Sequence, residues 1–173
     1  MQNPTGLKSI KSILMKHLFT LLVVLSVCSC KAQNFHYIPA PDKPVSVKNM
    51  EVSILKYVNR YRSGLGLPAL EMLPYASQVA AQHSYNMMKG KVGFGHIGFD
   101  GRIKDIAGSL GQRAVAGAEN VAYGAIDAKA VVDGWINSAP HRKNMQGNYN
   151  LTGIGVAQAK DGTIFFTQIF IRN

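Results

Sequence analysis

The chain has 173 residues, 47% of them hydrophobic and 16% charged, enough for one domain with a sizeable core. Nineteen basic residues against nine acidic ones give a formal charge of +10, a balance that favours anionic partners such as lipid headgroups or acidic glycans. The basic residues are scattered rather than interleaved with aromatics in stripes, which argues against nucleic acid as the partner.

Residues 1–30 read as a signal rather than as part of that domain. Met15-Lys16-His17 precedes an apolar run from Leu18 to Val27, too short to span a bilayer and suited to the core of a secretory signal, with Met15 a natural start. Cys28 and Cys30 stand at its end, where the pattern resembles a bacterial lipobox. The small Ser29 favours lipidation at Cys30, and Leu25 ahead of Val27 keeps Cys28 as the alternative. Cleavage after Ala32 would instead release a soluble secreted protein. No cysteine follows residue 30, so core packing, not a disulfide, has to hold the exported domain together. Loss of Lys8, Lys11 and Lys16 leaves 16 basic and 9 acidic residues, a formal +7. Residues 31–47, with Pro39, Pro41 and Pro44, read as a tether, and residues 48–173 as the domain.

Within the domain, Met50, Ile54, Tyr57, Val58 and Tyr61 recur at helical spacing from about Val47 to Arg62. Gly64, Gly66 and Pro68 end that helix. A second helix follows Pro74 with Ala76, Val79, Ala80, His83 and Met87 on one face, and Gly90 stops it. Residues 91–117 are Gly-rich and predict irregular structure with one short helix near Arg102–Leu110. Glu119 to Tyr123 predicts a short strand. Asp127 caps a helix carrying Val131, Val132, Trp135 and Ile136, and Ser138 with Pro140 opens a short helix bearing His141. Asp161-Gly162 joins two apolar runs, Gly153–Ala159 and Thr163–Ile171, as a hairpin. The returning strand is apolar on both faces, so helices should cover the sheet on both sides.

Three acid–base side chains stand in distinctive phrases: His96 in Phe94-Gly95-His96, Glu119 in Ala118-Glu119-Asn120-Val121-Ala122, and His141 in Trp135-Ile136-Asn137-Ser138-Ala139-Pro140-His141-Arg142. Two imidazoles and a carboxylate are raw material for a metal site or for acid–base chemistry. Plainer roles exist for each: a loop hydrogen bond for His96, a backbone-binding role for Glu119, an exposed helix position for His141. Asn120 reads as a structural hydrogen-bonder and His83 as a buried, hydrogen-bonded histidine. Trp135 and Met87 read as core. Ser138 suits a helix N-cap better than a nucleophile. No Gly-x-Ser-x-Gly elbow accompanies it.

Taken in order, these phrases resemble the CAP superfamily, the cysteine-rich secretory, antigen 5 and plant pathogenesis-related group also called the SCP domain, in its compact bacterial branch. Tyr57-Val58-Asn59-x-Tyr61-Arg62, Leu65-x-Leu67-Pro68-x-Leu70 and Ala80-x-x-His83-Ser84-x-x-Met87 carry the first part. Trp135-x-x-Ser138-x-x-His141-Arg142-x-Asn144, Gly153-Ile154-Gly155-Val156 and Phe166-Thr167-Gln168 carry the rest. The resemblance implies an α+β fold, a three-layer α-β-α sandwich around a small, mostly antiparallel sheet. It also implies a surface cleft into which His96, Glu119 and His141 converge, with Ser138 and Asn120 at its edge. Many relatives place a glutamate where Ser138 stands, so a zinc ion held by His96, His141 and Glu119 would be weakly bound. The expected function is an exported protein of the cell envelope or a secreted one, lipid-anchored at the membrane, binding a lipid, an envelope glycan or an extracellular protein. The alternative is a hydrolase whose His/Glu site activates water, with or without metal.

Overall fold

In a computed structural model of the chain, residue 47, residues 49–113 and residues 115–173 are described. The segment expected to be a signal, Cys28 and Cys30, and all but the last residue of the expected tether lie outside them. Helix α1, Met50–Gly64, buries Met50, Ile54, Val58 and Arg62, residues four apart that fall on one helix face. It ends two residues beyond the expected boundary, where Gly66 takes a left-handed φ of 71°. Leu65 and Leu67 both donate their N–H groups back to the Arg62 carbonyl.

Strand β1, Glu71–Met72, has only two residues, too few to leave an alternation in the sequence. Helix α2, Pro74–Met88, opens on proline and buries Ala76, Ala80, His83, Ser84 and Met87. Helix α3, Phe99–Ser109, starts three residues before its expected boundary. Strand β2, Ala116–Gly124, is longer than the Glu119–Tyr123 segment the sequence predicts, because all nine residues pair with the last strand. Helix α4, Ala128–Asn137, is capped by Asp127, whose carboxylate accepts from the Ala130 N–H at 2.8 Å. Helix α5, Ala139–Met145, follows at once. Strands β3, Leu151–Gln158, and β4, Ile164–Arg172, form the expected hairpin, with Gly162 at φ 88° in the turn.

The sheet order is β1-β3-β4-β2, with β1 parallel to β3 and the other pairs antiparallel. Alternation along β4 divides the interior in two. Ile164, Phe166 and Phe170 face a large core with Ile54 and Val58 of α1 and Val131, Val132 and Trp135 of α4. Ile169 and Ile171 face a smaller one with Ala76 and Ala80 of α2 and Ile106 of α3. These two cores on either side of one sheet are the α-β-α sandwich.

Two local features fix its geometry. Gly153 and Gly155 let β3 meet α2 at backbone contact, since a Cβ on either would run into the main chain of Ala76 or of Ala80 and Ala81. Arg62, 1% exposed, donates to the carbonyls of Pro68, Met145, Gly147 and Tyr149 at 2.8 to 3.1 Å. One guanidinium thus ties α1, the turn after it and the segment from α5 to β3 together, its donors matched by backbone acceptors.

Candidate functional site

Period-two alternation aims Glu119 at the α2–α3 side of the sheet, while its neighbours Ala118 and Ala122 pack on the larger core. The Glu119 side chain is 1% exposed, and a buried carboxylate requires a partner. Arg102 supplies it from α3: Nε donates to Oε2 at 2.8 Å and Nη2 to Oε1 at 2.7 Å. The third arm, Nη1, donates to the Ile97 carbonyl at 2.9 Å, tying the loop that carries His96 to the same guanidinium. A bidentate, charge-assisted pair of this kind holds both orientation and charge.

His96 completes the cluster. Its Nδ1 lies 2.9 Å from Glu119 Oε1; the carboxylate is an acceptor, so Nδ1 carries the proton between them. The ring is half exposed, at 52%. Gly95 at φ 138° and Gly98 at φ 81° flank it, conformations that let the loop double back over the sheet. His83, buried on α2, anchors the same loop from below by donating from Nε2 to the Gly95 carbonyl at 2.8 Å. The same nitrogen is 3.9 Å from Glu119 Oε1. Burial holds the His83 pKa below the ordinary imidazole value.

His141 reaches the site from the opposite layer by way of Asn120. The Asn120 side chain is fully buried; its Oδ1 accepts from Asn144 Nδ2 at 2.9 Å and its Nδ2 donates to the His141 carbonyl at 3.2 Å. Asn144 Nδ2 also donates to the Glu119 carbonyl at 3.1 Å. These bonds lock α5 to β2 and set where the His141 ring stands. Burial, and then the charge of His96, lower the His141 pKa. Ser138 occupies the junction of α4 and α5, but its hydroxyl makes no capping hydrogen bond there; Pro140 and the junction geometry start α5 instead.

The structure joins His96 to Glu119 directly, brings His141 within electrostatic reach of His96 without a hydrogen bond to it or to Glu119, and makes Asn120 a buried strut. Among the described residues no group of three or more His, Cys, Asp or Glu side chains is disposed to hold a metal ion. The reason is visible in the bonding: both Glu119 oxygens accept from Arg102, and the cation that a metal would provide is already present as a guanidinium. This arrangement does not fit a zinc ion on His96, His141 and Glu119. Arg102 is the residue that sequence reasoning missed. The available signal was indirect: Glu119 sits in an apolar strand and needs a cation, and Arg102 lies in the segment that follows His96.

An aromatic rim borders the site. Phe94, two residues before His96, meets Tyr123 edge-to-face at 4.8 Å, and Tyr123 stacks on Phe165 at 5.8 Å. Phe94, Ile97 and Tyr123 are 45%, 67% and 52% exposed, an apolar surface beside a polar floor. No helix among the described residues is long and apolar enough to cross a membrane.

Comparison with known proteins agrees with this fold. The model of the cysteine-rich secretory protein family, CAP, matches residues 55–170. The uncharacterized protein YkwD of Bacillus subtilis is 36% identical over 129 residues, covering 74% of this chain and 49% of its own length. The uncharacterized membrane protein YlbC of the same organism is 33% identical over 124 residues, covering 70% and 34%. This chain therefore spans half or less of the length of these two curated relatives. Among solved structures, an extracellular protein containing an SCP domain from Bacillus anthracis superposes with a TM-score of 0.58 at 28% identity, over 76% of this chain and 45% of that one. An outer surface protein of Borrelia burgdorferi shares the fold with a TM-score of 0.62 at 19% identity, over 73% and 94%.

Proposed function

The chain belongs to the cysteine-rich secretory protein (CAP) family, and from that premise we propose that it is an exported envelope protein that binds a ligand at the His96–Glu119–His141 cleft. The observation that carries this reading is the state of Glu119. Its two oxygens are engaged by Arg102 and one of them also by His96, so the carboxylate holds the site in shape rather than standing free to take a proton. What faces outward is the His96 ring, with the exposed Phe94, Ile97 and Tyr123 around it. An apolar rim beside one fixed polar group suits a lipid or an envelope glycan better than a charged small metabolite, with an extracellular protein as the remaining class.

Export rests on the apolar run Leu18–Val27, and anchoring on Cys30 or Cys28. The extracellular and outer-surface descriptions of the Bacillus anthracis and Borrelia burgdorferi proteins support the same location. A palmitate analogue should label the chain and fail to label the Cys28→Ala/Cys30→Ala double variant.

The cleft is tested by following the His96 and His141 imidazole resonances while the purified chain is titrated separately with phospholipid vesicles and with solubilised envelope glycan. One titrant should shift both residues, and His96→Ala should weaken its binding. If neither titrant moves either ring, a lipid- or glycan-binding cleft is wrong.

One observation favours a second reading, hydrolysis. A carboxylate bonded to Nδ1 of an exposed imidazole is an arrangement that lets Nε2 take a proton from water. Ester turnover that disappears in His96→Ala would establish it over simple binding.

A further inference from the structure

Strand β3 carries a second, independent feature. Leu73 donates its N–H to the Thr152 carbonyl, so the backbone groups of Thr152 face β1, away from β4. Ala159 donates to Thr163 in the hairpin turn, which puts the odd-numbered residues on the β4 side. The alternation of a strand then turns the N–H and C=O of Ile154, Val156 and Gln158 toward the outer edge. Strand β1 pairs only with Leu151 and Thr152. Ser77 Oγ accepts from the Ile154 N–H at 3.2 Å. Among the described residues, no strand pairs with Val156 or Gln158 on this side.

This stretch of edge borders a shallow, open depression. Gln82, Tyr85 and Met88 of α2 line one side of it and Val156–Gln158 the other, with a volume of about 560 Å³. Helix α2 lies alongside because Gly153 and Gly155 let it pack directly on β3. Tyr85 is 41% exposed, and two ammonium groups surround it: Lys89 Nζ is 5.7 Å and Lys91 Nζ 5.4 Å from its ring centroid. Free sheet edges are ordinarily guarded by a charge, a proline, a bulge or a covering helix or loop; Ile154–Gln158 contains no charge, proline or bulge.

We infer that the outer edge of β3 at Val156–Gln158, flanked by α2, is a docking site for an extended, acidic peptide segment of a partner protein. An extended backbone is the ligand whose donors and acceptors repeat at the spacing of Val156 and Gln158, about 7 Å. Strand β1 already uses the same edge in the same way at Thr152, four residues upstream of Val156. Charge complementarity sets the rest: the Tyr85 ring takes an apolar side chain, and Lys89 and Lys91 take an acidic one beside it. The site is separate from the His96 cleft and does not depend on its reading.

The probe is a fluorescein-labelled octapeptide alternating valine or threonine with glutamate, added to the purified chain. Its anisotropy should rise on binding, and the Val156 and Gln158 amides should gain protection from hydrogen exchange. N-methylation of alternate peptide amides, Gln158→Pro in the protein, and Tyr85→Ala should each weaken binding by about fivefold or more, the effect of losing one hydrogen bond or one buried contact. Should Gln158→Pro lower the melting temperature, Tyr85→Ala and the methylated peptide carry the test. No rise in anisotropy overturns the proposal, and so does equal binding of the methylated peptide. Concentration-dependent dimerisation that protects the same amides without peptide would assign the edge to a second copy and overturn it as well.

Discussion

Arg102 grips Glu119 through two parallel hydrogen bonds, 2.8 and 2.7 Å long, around a carboxylate that is 1% exposed. A guanidinium in this position neutralises the acid, orients it toward His96 and holds the Ile97 carbonyl of the loop above. The countercharge to Glu119 is thus a covalent part of the chain.

Arg102→Ala should therefore cost about 3–5 kcal/mol of stability, because it strands a buried carboxylate. Adding Glu119→Gln should restore part of the loss by removing the orphaned charge. Urea denaturation of the two variants measures both effects. Calorimetry with zinc should show firmer binding to Arg102→Ala than to the wild type, since Glu119 is then free to ligate. Equal zinc binding in the two proteins would show that the guanidinium does not compete with metal.

Arg62 is a stricter case. Four carbonyls from two separate parts of the chain accept from its fork, a geometry that an ammonium cannot reproduce. Arg62→Lys keeps the charge and should still lose about 2–4 kcal/mol, because buried carbonyls and an ammonium are left poorly paired. A loss below about 0.5 kcal/mol in chemical denaturation, the scale of an ordinary surface change, would show that charge alone suffices.

Gly155→Ala places a methyl group against the backbone of Ala80 and Ala81. Helix α2 cannot yield without leaving the sheet, so the variant should lose more than about 3 kcal/mol or fail to accumulate. Gly134→Ala, in α4 with open space around its Cβ position, should be neutral or slightly stabilising. Thermal melts of the pair separate close packing from a general intolerance of added methyl groups.

Acid should weaken the fold through two histidines. Burial lowers the pKa of His83 and His141 below the ordinary value of 6.5, so in the interval below 6.5 the unfolded chain binds more protons than the folded one. Stability then rises with pH across that interval: it is fully present above 6.5 and is lost as pH falls through the folded-state values. The melting temperature should drop on acidification from pH 7 into that range, and less so in His83→Gln. A melting temperature unaffected by pH in that interval would refute the assignment.

Much of this molecule was legible in one dimension. The helical period of Met50, Ile54 and Val58, the proline opening α2, the Asp127 cap and the Asp161-Gly162 hairpin all act within a few residues of chain, and each produced the element its pattern predicts. The phrases around His96, Glu119 and His141 also identified the family. Elements whose existence depends on a distant partner were harder to read. Strand β1 is two residues long and exists because β3 lies beside it; β2 runs past its predicted ends because β4 offers nine partners. Ser138 stands where a cap belongs, yet its hydroxyl makes no capping bond.

The site divides along the same line. Sequence alone determined which groups could do chemistry and that the interior must be sandwiched between helices, because side-chain type and local periodicity are properties of the chain itself. Only the tertiary structure decided that Arg102 answers Glu119, that Asn120 is a strut between layers, and that, among the described residues, no strand pairs with the outer edge of β3 beyond Thr152. Those outcomes depend on which buried group finds its countercharge or hydrogen-bond partner across tens of residues, and burial makes that pairing compulsory without saying in advance which residue will supply it.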